Sequence, residues 1–213
     1  MSGGGREVYS LTLDRMQDLP EPCVSCIFWE LNPALAAASI ARGDPGLDKE
    51  SWLSAALLEW GSVGQIVYVD GAPAGYVTYA PPHLVPRATA FPTAPVSADA
   101  VLLMTARVVP HFAGQGLGRV LIQHAAKDVM RRGVRAVEAF GYLGDADSPK
   151  AACLIPADVL TAVGFKTVRE HRTYPRLRLD LRTALTWRED VEAAVERLLA
   201  SVRTPALSPP RRA

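Results

Sequence analysis

The chain has 213 residues, enough for one large domain or two small ones with a sizeable core either way. Hydrophobic residues make up 49% and charged residues 21%, and the net charge of +1 gives no electrostatic ground for binding nucleic acid or an anionic membrane. The opening MSGGGREVYS lacks an apolar signal-peptide core, no run is long enough to span a bilayer, and three cysteines argue against a disulfide framework, so a cytoplasmic protein is expected.

Residues 1–5 read as a disordered head. Val8, Leu11 and Leu13 predict a strand over Glu7–Leu13, followed by a proline-rich turn and the segment PEPCVSCIFWEL. Asp48 is placed to cap a helix over Lys49–Trp60, with Trp52, Leu53, Ala56, Leu57 and Trp60 at helical spacing and Gly61 as the stop. Gln65–Val69 and Gly75–Tyr79 predict a hairpin around Asp70-Gly71-Ala72-Pro73, and Pro81–Pro95 a long loop. Val101–Val109 is nearly continuously apolar, as a strand buried on both faces should be.

Leu117–Arg132 predicts a helix whose stripe is Leu117, Val120, Leu121, Ala125 and Val129, with Arg131 and Arg132 suiting its C-terminus and Gly133 ending it. A strand over Val134–Phe140, a short helix ending at Gly164 and a strand over Phe165–His171 follow. Leu177, Leu179 and Leu181 alternate with Arg176, Arg178, Asp180 and Arg182, the period of a half-exposed strand. Thr186 and Glu189 form a capping-box pair for a last helix within 183–203, and residues 204–213 read as a disordered tail.

The stretch VVPHFAGQGLGR joins the buried strand to the helix through three alternating glycines. Such turns let successive backbone N–H groups surround a phosphate at a helix N-terminus. A P-loop would need lysine and Ser/Thr after the last glycine, where Arg119-Val120 stands. A dinucleotide fingerprint would need a third glycine where Arg119 stands and glycines directly after the strand, although Glu138 lies near the position of a ribose-binding acid. A plain strand-to-helix turn is the remaining structural alternative.

The order hairpin, buried strand, V-x-P-x-x-x-G-x-G-x-G helix, strand, short helix, Gly-Phe, strand resembles the GNAT superfamily of acyl-CoA-dependent N-acyltransferases. The likeness spans residues 6–182 by element order, and its specific motif lies in Val108–Leu121. It implies an α/β (α+β) fold with a central mixed sheet flanked by helices, here with an extra C-terminal helix. It also implies transfer of an acetyl or other short acyl group from acetyl-CoA or another acyl-CoA to the amine of a small molecule, peptide or protein, by direct attack. By resemblance Gly114, Gln115, Gly116, Leu117, Gly118 and Arg119 cradle the pyrophosphate, Val108 and Val109 pair with the pantetheine arm, and N–H groups near Val109 hold the oxyanion. No metal, nucleic acid or membrane is implied, and a monomer or homodimer is expected.

Three positions depart from the family pattern. Ala113 stands where arginine or glutamine is usual, Leu160 where a tyrosine protonates the leaving thiolate, and Cys153 where an asparagine touches the cofactor. The thiolate then leaves unassisted or through another donor, with Tyr142, Tyr174 and Cys153 as the candidates. Two readings of Glu138 stand side by side, a general base and an ion pair with Arg135 or Arg107. Asp145, Asp147 and His111 are further candidates near the acceptor, whereas His124 reads as structural. Cys23-x-x-Cys26 lacks the partners of a zinc site and reads as a loop that buries Phe28 and Trp29, with a regulatory dithiol as the alternative. The basic strands over Phe165–Arg182 read as a solvated face. A non-catalytic acyl-CoA-binding protein is the rival to the enzyme.

Overall fold

A computed structural model describes residues 5–145 and 153–181. The head to residue 4, Asp147, the expected helix 183–203 with Thr186 and Glu189, and the tail 204–213 lie outside the described residues. Among the described residues no helix is long and apolar enough to cross a membrane.

Strand β1 is Arg6–Ser10, shorter than the predicted span because Leu11 turns inward and is 2% exposed. A helix that the apolar pattern does not predict, α1 (Pro33–Arg42), follows the cysteine segment. Its alanine-rich sequence hides its period, but its ends are explicit. The Asn32 side chain accepts the Leu35 N–H at 2.9 Å, Pro33 sits at the first position, and Gly43 closes the helix at φ 84°. Helix α2 (Pro45–Trp60) begins ahead of Asp48, so Asp48 is not its cap; the Asp48 carboxylate instead meets Arg42 at 3.0 Å.

Strands β2 (Gly64–Val69) and β3 (Ala72–Ala80) form the predicted hairpin. Asp70 and Gly71 both have positive φ, as a tight two-residue turn requires. Then come β4 (Ala100–Val108), α3 (Leu117–Arg131), β5 (Ala136–Tyr142), the two-residue β6 (Ile155–Pro156), α4 (Ala157–Ala162), β7 (Lys166–Arg169) and β8 (Arg176–Asp180). The sheet order is β1-β2-β3-β4-β5-β8-β7, with β6 on β5. The β4–β5 and β5–β6 pairs are parallel and the rest antiparallel, which makes the sheet mixed.

Two apolar layers sandwich this sheet. Along β4, Val101 and Leu103 pack with Leu121 and Val129 of α3, while Leu102 and Met104 pack with Trp29, Leu53 of α2 and Phe140. A run apolar at every position is thus the signature of a strand covered twice. Burial of each such aliphatic side chain stabilises the fold by about 1.5–3 kcal/mol. Rings extend the second layer, with Phe91 stacked on Phe140 at 4.3 Å between centroids and on Trp29 at 5.3 Å.

Glu138 lies on β5 with no exposed surface. Its Oε2 accepts from Arg176 and, at 3.1 Å, from the Ser97 N–H; its Oε1 accepts from Arg178 Nη1 at 3.1 Å. Arg178 also grips Asp99 at 2.8 Å. The partners are therefore neither Arg135 nor Arg107. Arg176 and Arg178 lie across the β5–β8 register, so this part of the basic strand pair is a clamp rather than a solvated face. Burial by itself would push the Glu138 carboxyl up, but hydrogen bonds from Ser97 and Arg176 and the guanidinium charge hold it below its ordinary value.

Replacing Glu138 with glutamine leaves two arginines without their shared anion, and is expected to destabilise the protein by about 3–5 kcal/mol at pH 7. Because the folded-state value is depressed, the stabilisation is fully present above the ordinary glutamate value of about 4.3 and is lost as pH falls below it. Urea unfolding of wild type and Glu138→Gln should show a gap at pH 7 that narrows as pH falls below about 4.3. A gap independent of pH would contradict the ion-pair account.

Candidate functional site

Strands β4 and β5 pair only at Ala100–Ala136, Val101–Val137 and Leu102–Glu138. Beyond that point β4 runs on to Val108, while β5 runs on to Tyr142 and takes β6 as its neighbour through Gly141–Ile155. The two strands part, leaving a gap at their C-terminal ends, where open α/β sheets place ligands. A bulge helps to shape it. Thr78 faces Thr105 and the next residue, Tyr79, faces Leu103, so Met104 is an extra residue in β4. Met104 packs into the ring-rich layer and its neighbour Thr105 faces a cavity on that same side.

At the end of β4 the Val108 amide faces the gap. Val109 donates its N–H to the Ala74 carbonyl at 2.8 Å, and a Cβ on Gly75 would lie 2.6 Å from the Arg107 carbonyl, so both of these groups face β3. By strand alternation the backbone of Val108, between them, faces away from β3. The Val109 N–H is therefore taken up by β3.

The glycine turn leaves β4 through a helical turn at Pro110–Phe112 and enters α3 at Leu117. Gly114 and Gly116 have φ of 77° and 74°, and nothing lies within 4 Å of a Cβ built on either. Gly114, Gln115, Gly116 and Arg119 are exposed, Gly118 is half-buried, and Leu117 anchors the turn at 1% exposure. No side chain caps α3. Its first N–H groups lack intrahelical acceptors and point out of the helix end. Ala113 adds nothing, because its N–H donates to the Pro110 carbonyl at 3.1 Å. Residues 114–119 thus form an open cup at the positive end of a 15-residue helix, in keeping with an anion such as a pyrophosphate.

The other candidates separate. Leu160 is buried in α4 with no exposed surface. Tyr142, at the end of β5, is 7% exposed, and its ring lies 5.9 Å from that of Tyr174, which stacks on His171. His111 is exposed with its ring edge-on to Phe112, and Asp145 lies exposed beyond β5.

A small cavity lies on the ring-rich side of the gap and holds residues that pattern reading missed. Glu30 and Lys49, 4% and 8% exposed, pair there at 2.7 Å. Glu30 also accepts the Trp29 N–H, and Lys49 also donates to the Cys26 carbonyl at 2.7 Å. Thr78 and Thr105 line it from β3 and β4. All three cysteines of the chain are present, with the sulfurs of Cys26 and Cys153 3.3 Å apart. Trp29, as expected of an anchored loop, is buried, and its ring N–H donates to the Cys153 carbonyl at 2.9 Å. The sequence signal was a lysine and a glutamate flanking otherwise apolar segments, without any hint that they meet. Among the described residues no group of three or more metal-ligating side chains is placed to hold an ion.

Solved structures share this fold. The chain is similar to the PaiA N-acetyltransferase of Thermoplasma acidophilum in complex with coenzyme A, with a TM-score of 0.53 at 9% identity over 83% of this chain and 99% of that one. It is similar to a putative GNAT-family acetyltransferase of Desulfovibrio desulfuricans, with a TM-score of 0.50 at 18% identity over 84% of this chain and 99% of the other. The loading GNATL domain of CurA from Lyngbya majuscula gives a TM-score of 0.51 at 13% identity, over 84% of this chain and 99% of the domain. No curated protein sequence matches the chain. The model of the acetyltransferase (GNAT) family matches residues 14–148, more than half of the 213. The chain belongs to the GNAT family of acetyltransferases.

Proposed function

We propose that this protein transfers an acetyl or other short acyl group from an acyl-CoA to an amine by direct attack. The observation that carries the reading is the open amide cup at 114–119, set beside the end of β4 that β5 no longer pairs. In this reading the N–H groups of that turn and the guanidinium of Arg119 hold the pyrophosphate, and the outward backbone of Val108 pairs with the pantetheine arm. The bound thioester supplies the acyl group and a thiolate leaving group. The PaiA structure, which contains coenzyme A, supports the donor, and the family supports an amine acceptor.

The cavity lined by Thr78, Thr105, Glu30 and Lys49 is the proposed acceptor side. A carboxylate relaying through water is the usual means of deprotonating an amine. Glu138 does not line this cavity and Glu30 does, which makes Glu30, held there by Lys49, the proposed carboxylate for that role. For protonation of the leaving thiolate, Cys153 is a poor candidate, because its hydrogen bond to Cys26 and its burial push its thiol up. Tyr142 and Tyr174 at the end of β5 are the proposed donors. Cytoplasmic location and a monomeric or homodimeric state complete the reading.

Purified protein given acetyl-CoA should release free thiol only when an amine acceptor from a panel is present; saturable coenzyme A binding without release for any amine would favour the non-catalytic rival. Arg119 is exposed, so Arg119→Glu should leave the unfolding midpoint unchanged while weakening acetyl-CoA binding by about 10- to 100-fold, measured by calorimetry. A β-branched side chain at φ 74° distorts the cup itself, and Gly116→Val should lower both affinity and stability, the latter by about 1–3 kcal/mol. Glu30→Gln should lower turnover by about 100-fold or more with coenzyme A affinity intact, a split that steady-state kinetics and calorimetry read together.

A further inference from the structure

We propose that Cys26 and Cys153 are a thiol–disulfide exchange site that a small aliphatic disulfide oxidises to an intramolecular bridge. The two sulfurs lie 3.3 Å apart although 127 positions separate the residues. A disulfide bond is about 2.05 Å long, so closure asks for a side-chain movement of little more than an ångström. Each cysteine's carbonyl is held by a neighbouring side chain. Lys49 holds the Cys26 carbonyl at 2.7 Å, and the Trp29 ring holds the Cys153 carbonyl at 2.9 Å.

Roles within the cluster follow from access and surroundings. Cys26 and Cys153 are half-buried, whereas Cys23 is buried and its sulfur faces the Arg107 guanidinium at 3.7 Å. Either sulfur of this pair can be the donor; with Cys153 donating, its hydrogen bond, the Phe28 N–H and the nearby Lys49 charge lower the Cys26 thiol to about 6 against the cost of burial. The Lys49 ammonium, 2.7 Å from the Cys26 carbonyl, sets a positive charge on the Cys26 side of the pair, so Cys26 is the attacking thiolate and Cys153 the resolving thiol.

The Cys26 thiolate attacks one sulfur of the reagent R–S–S–R; the reagent bond breaks and RS⁻ leaves, taking up the proton that Cys153 releases. The Cys153 thiolate then attacks the Cys26 sulfur of the mixed disulfide and expels a second RS⁻, which is protonated from solvent. Two protein thiols lose two electrons, and one small disulfide becomes two thiols. The product ties the segment ahead of α1 to the segment ahead of β6, both of which line the cavity. This inference does not depend on the acyl-transfer reading, since its readouts need neither cofactor nor turnover.

The test treats the full chain with hydroxyethyl disulfide, blocks residual thiols, and maps disulfides by mass spectrometry. Wild type and Cys23→Ser should each lose two hydrogens and show a Cys26–Cys153 link. Cys153→Ser should stop at a mixed disulfide that carries one hydroxyethylthio group on Cys26. The bridge closes a long loop, so oxidised Cys23→Ser should unfold at least about 5 °C above its reduced form, and the reduced form serves as the folding control for the substitution. A Cys23–Cys26 bridge in wild type, an intramolecular bridge in Cys153→Ser, or three thiols that survive the reagent would each overturn the proposal.

Discussion

Two neighbouring strands that begin hydrogen-bonded and then separate impose a demand on everything around them. β4 and β5 share three residue pairs and then part, so backbone groups that would otherwise satisfy each other face an opening. Three local features hold them apart. The extra residue Met104 bends β4, β6 takes the outer end of β5, and Glu138 fixes β5 at the parting point by binding two arginines of β8 and the Ser97 amide. The clamp does its work where the gap starts, which explains a fully buried carboxylate in a strand that is otherwise apolar. An anion there carries a large desolvation cost, offset by hydrogen bonds to both of its oxygens.

The two sides of the gap are built from different materials. On one side the structure offers main chain: the outward amide of Val108, two glycines at positive φ, and the uncapped start of α3. Main-chain groups recognise a phosphate whatever the side chains are, provided that glycine permits the turn. On the other side it offers side chains: the Glu30–Lys49 pair, two threonines and three thiols.

Local patterns in the sequence carried much of the fold. The hairpin was legible because Asp70-Gly71 suits a tight turn, β4 because Ala100 to Met104 are all apolar, and α3 because its stripe and terminal Gly133 agree. Helix α1 was missed because its alanines blur the apolar face, although Asn32-Pro33 and Gly43 marked both ends. The bulge at Met104 left no trace, since it closes a run, Ala100 to Met104, that is apolar on both faces and so shows no alternation to interrupt. Within the candidate site, legibility followed sequence distance. The cup is six consecutive residues and could be read directly. The partners of Glu138 lie about forty positions away, on a strand whose register the sequence does not declare, so a base and an ion pair looked alike.

The cavity was illegible for the same reason, carried further. Its residues come from the segment before α1, from α2, β3 and β4, and from the approach to β6, and none of these neighbours another in a short motif. Read singly, Cys153 was a poor substitute for an asparagine and Cys23-x-x-Cys26 a motif without partners. Together they place an acidified thiol, a resolving thiol and a buried ion pair at one opening. A lysine that pairs with Glu30 and also holds the Cys26 carbonyl links the proposed acceptor carboxylate to the proposed redox thiol. Oxidation would remove the Cys26 thiolate, and with it a negative charge close to both members of that pair. One ammonium group, less than 3 Å from both the Glu30 carboxylate and the Cys26 carbonyl, thus ties the ion pair to the backbone that carries this thiol.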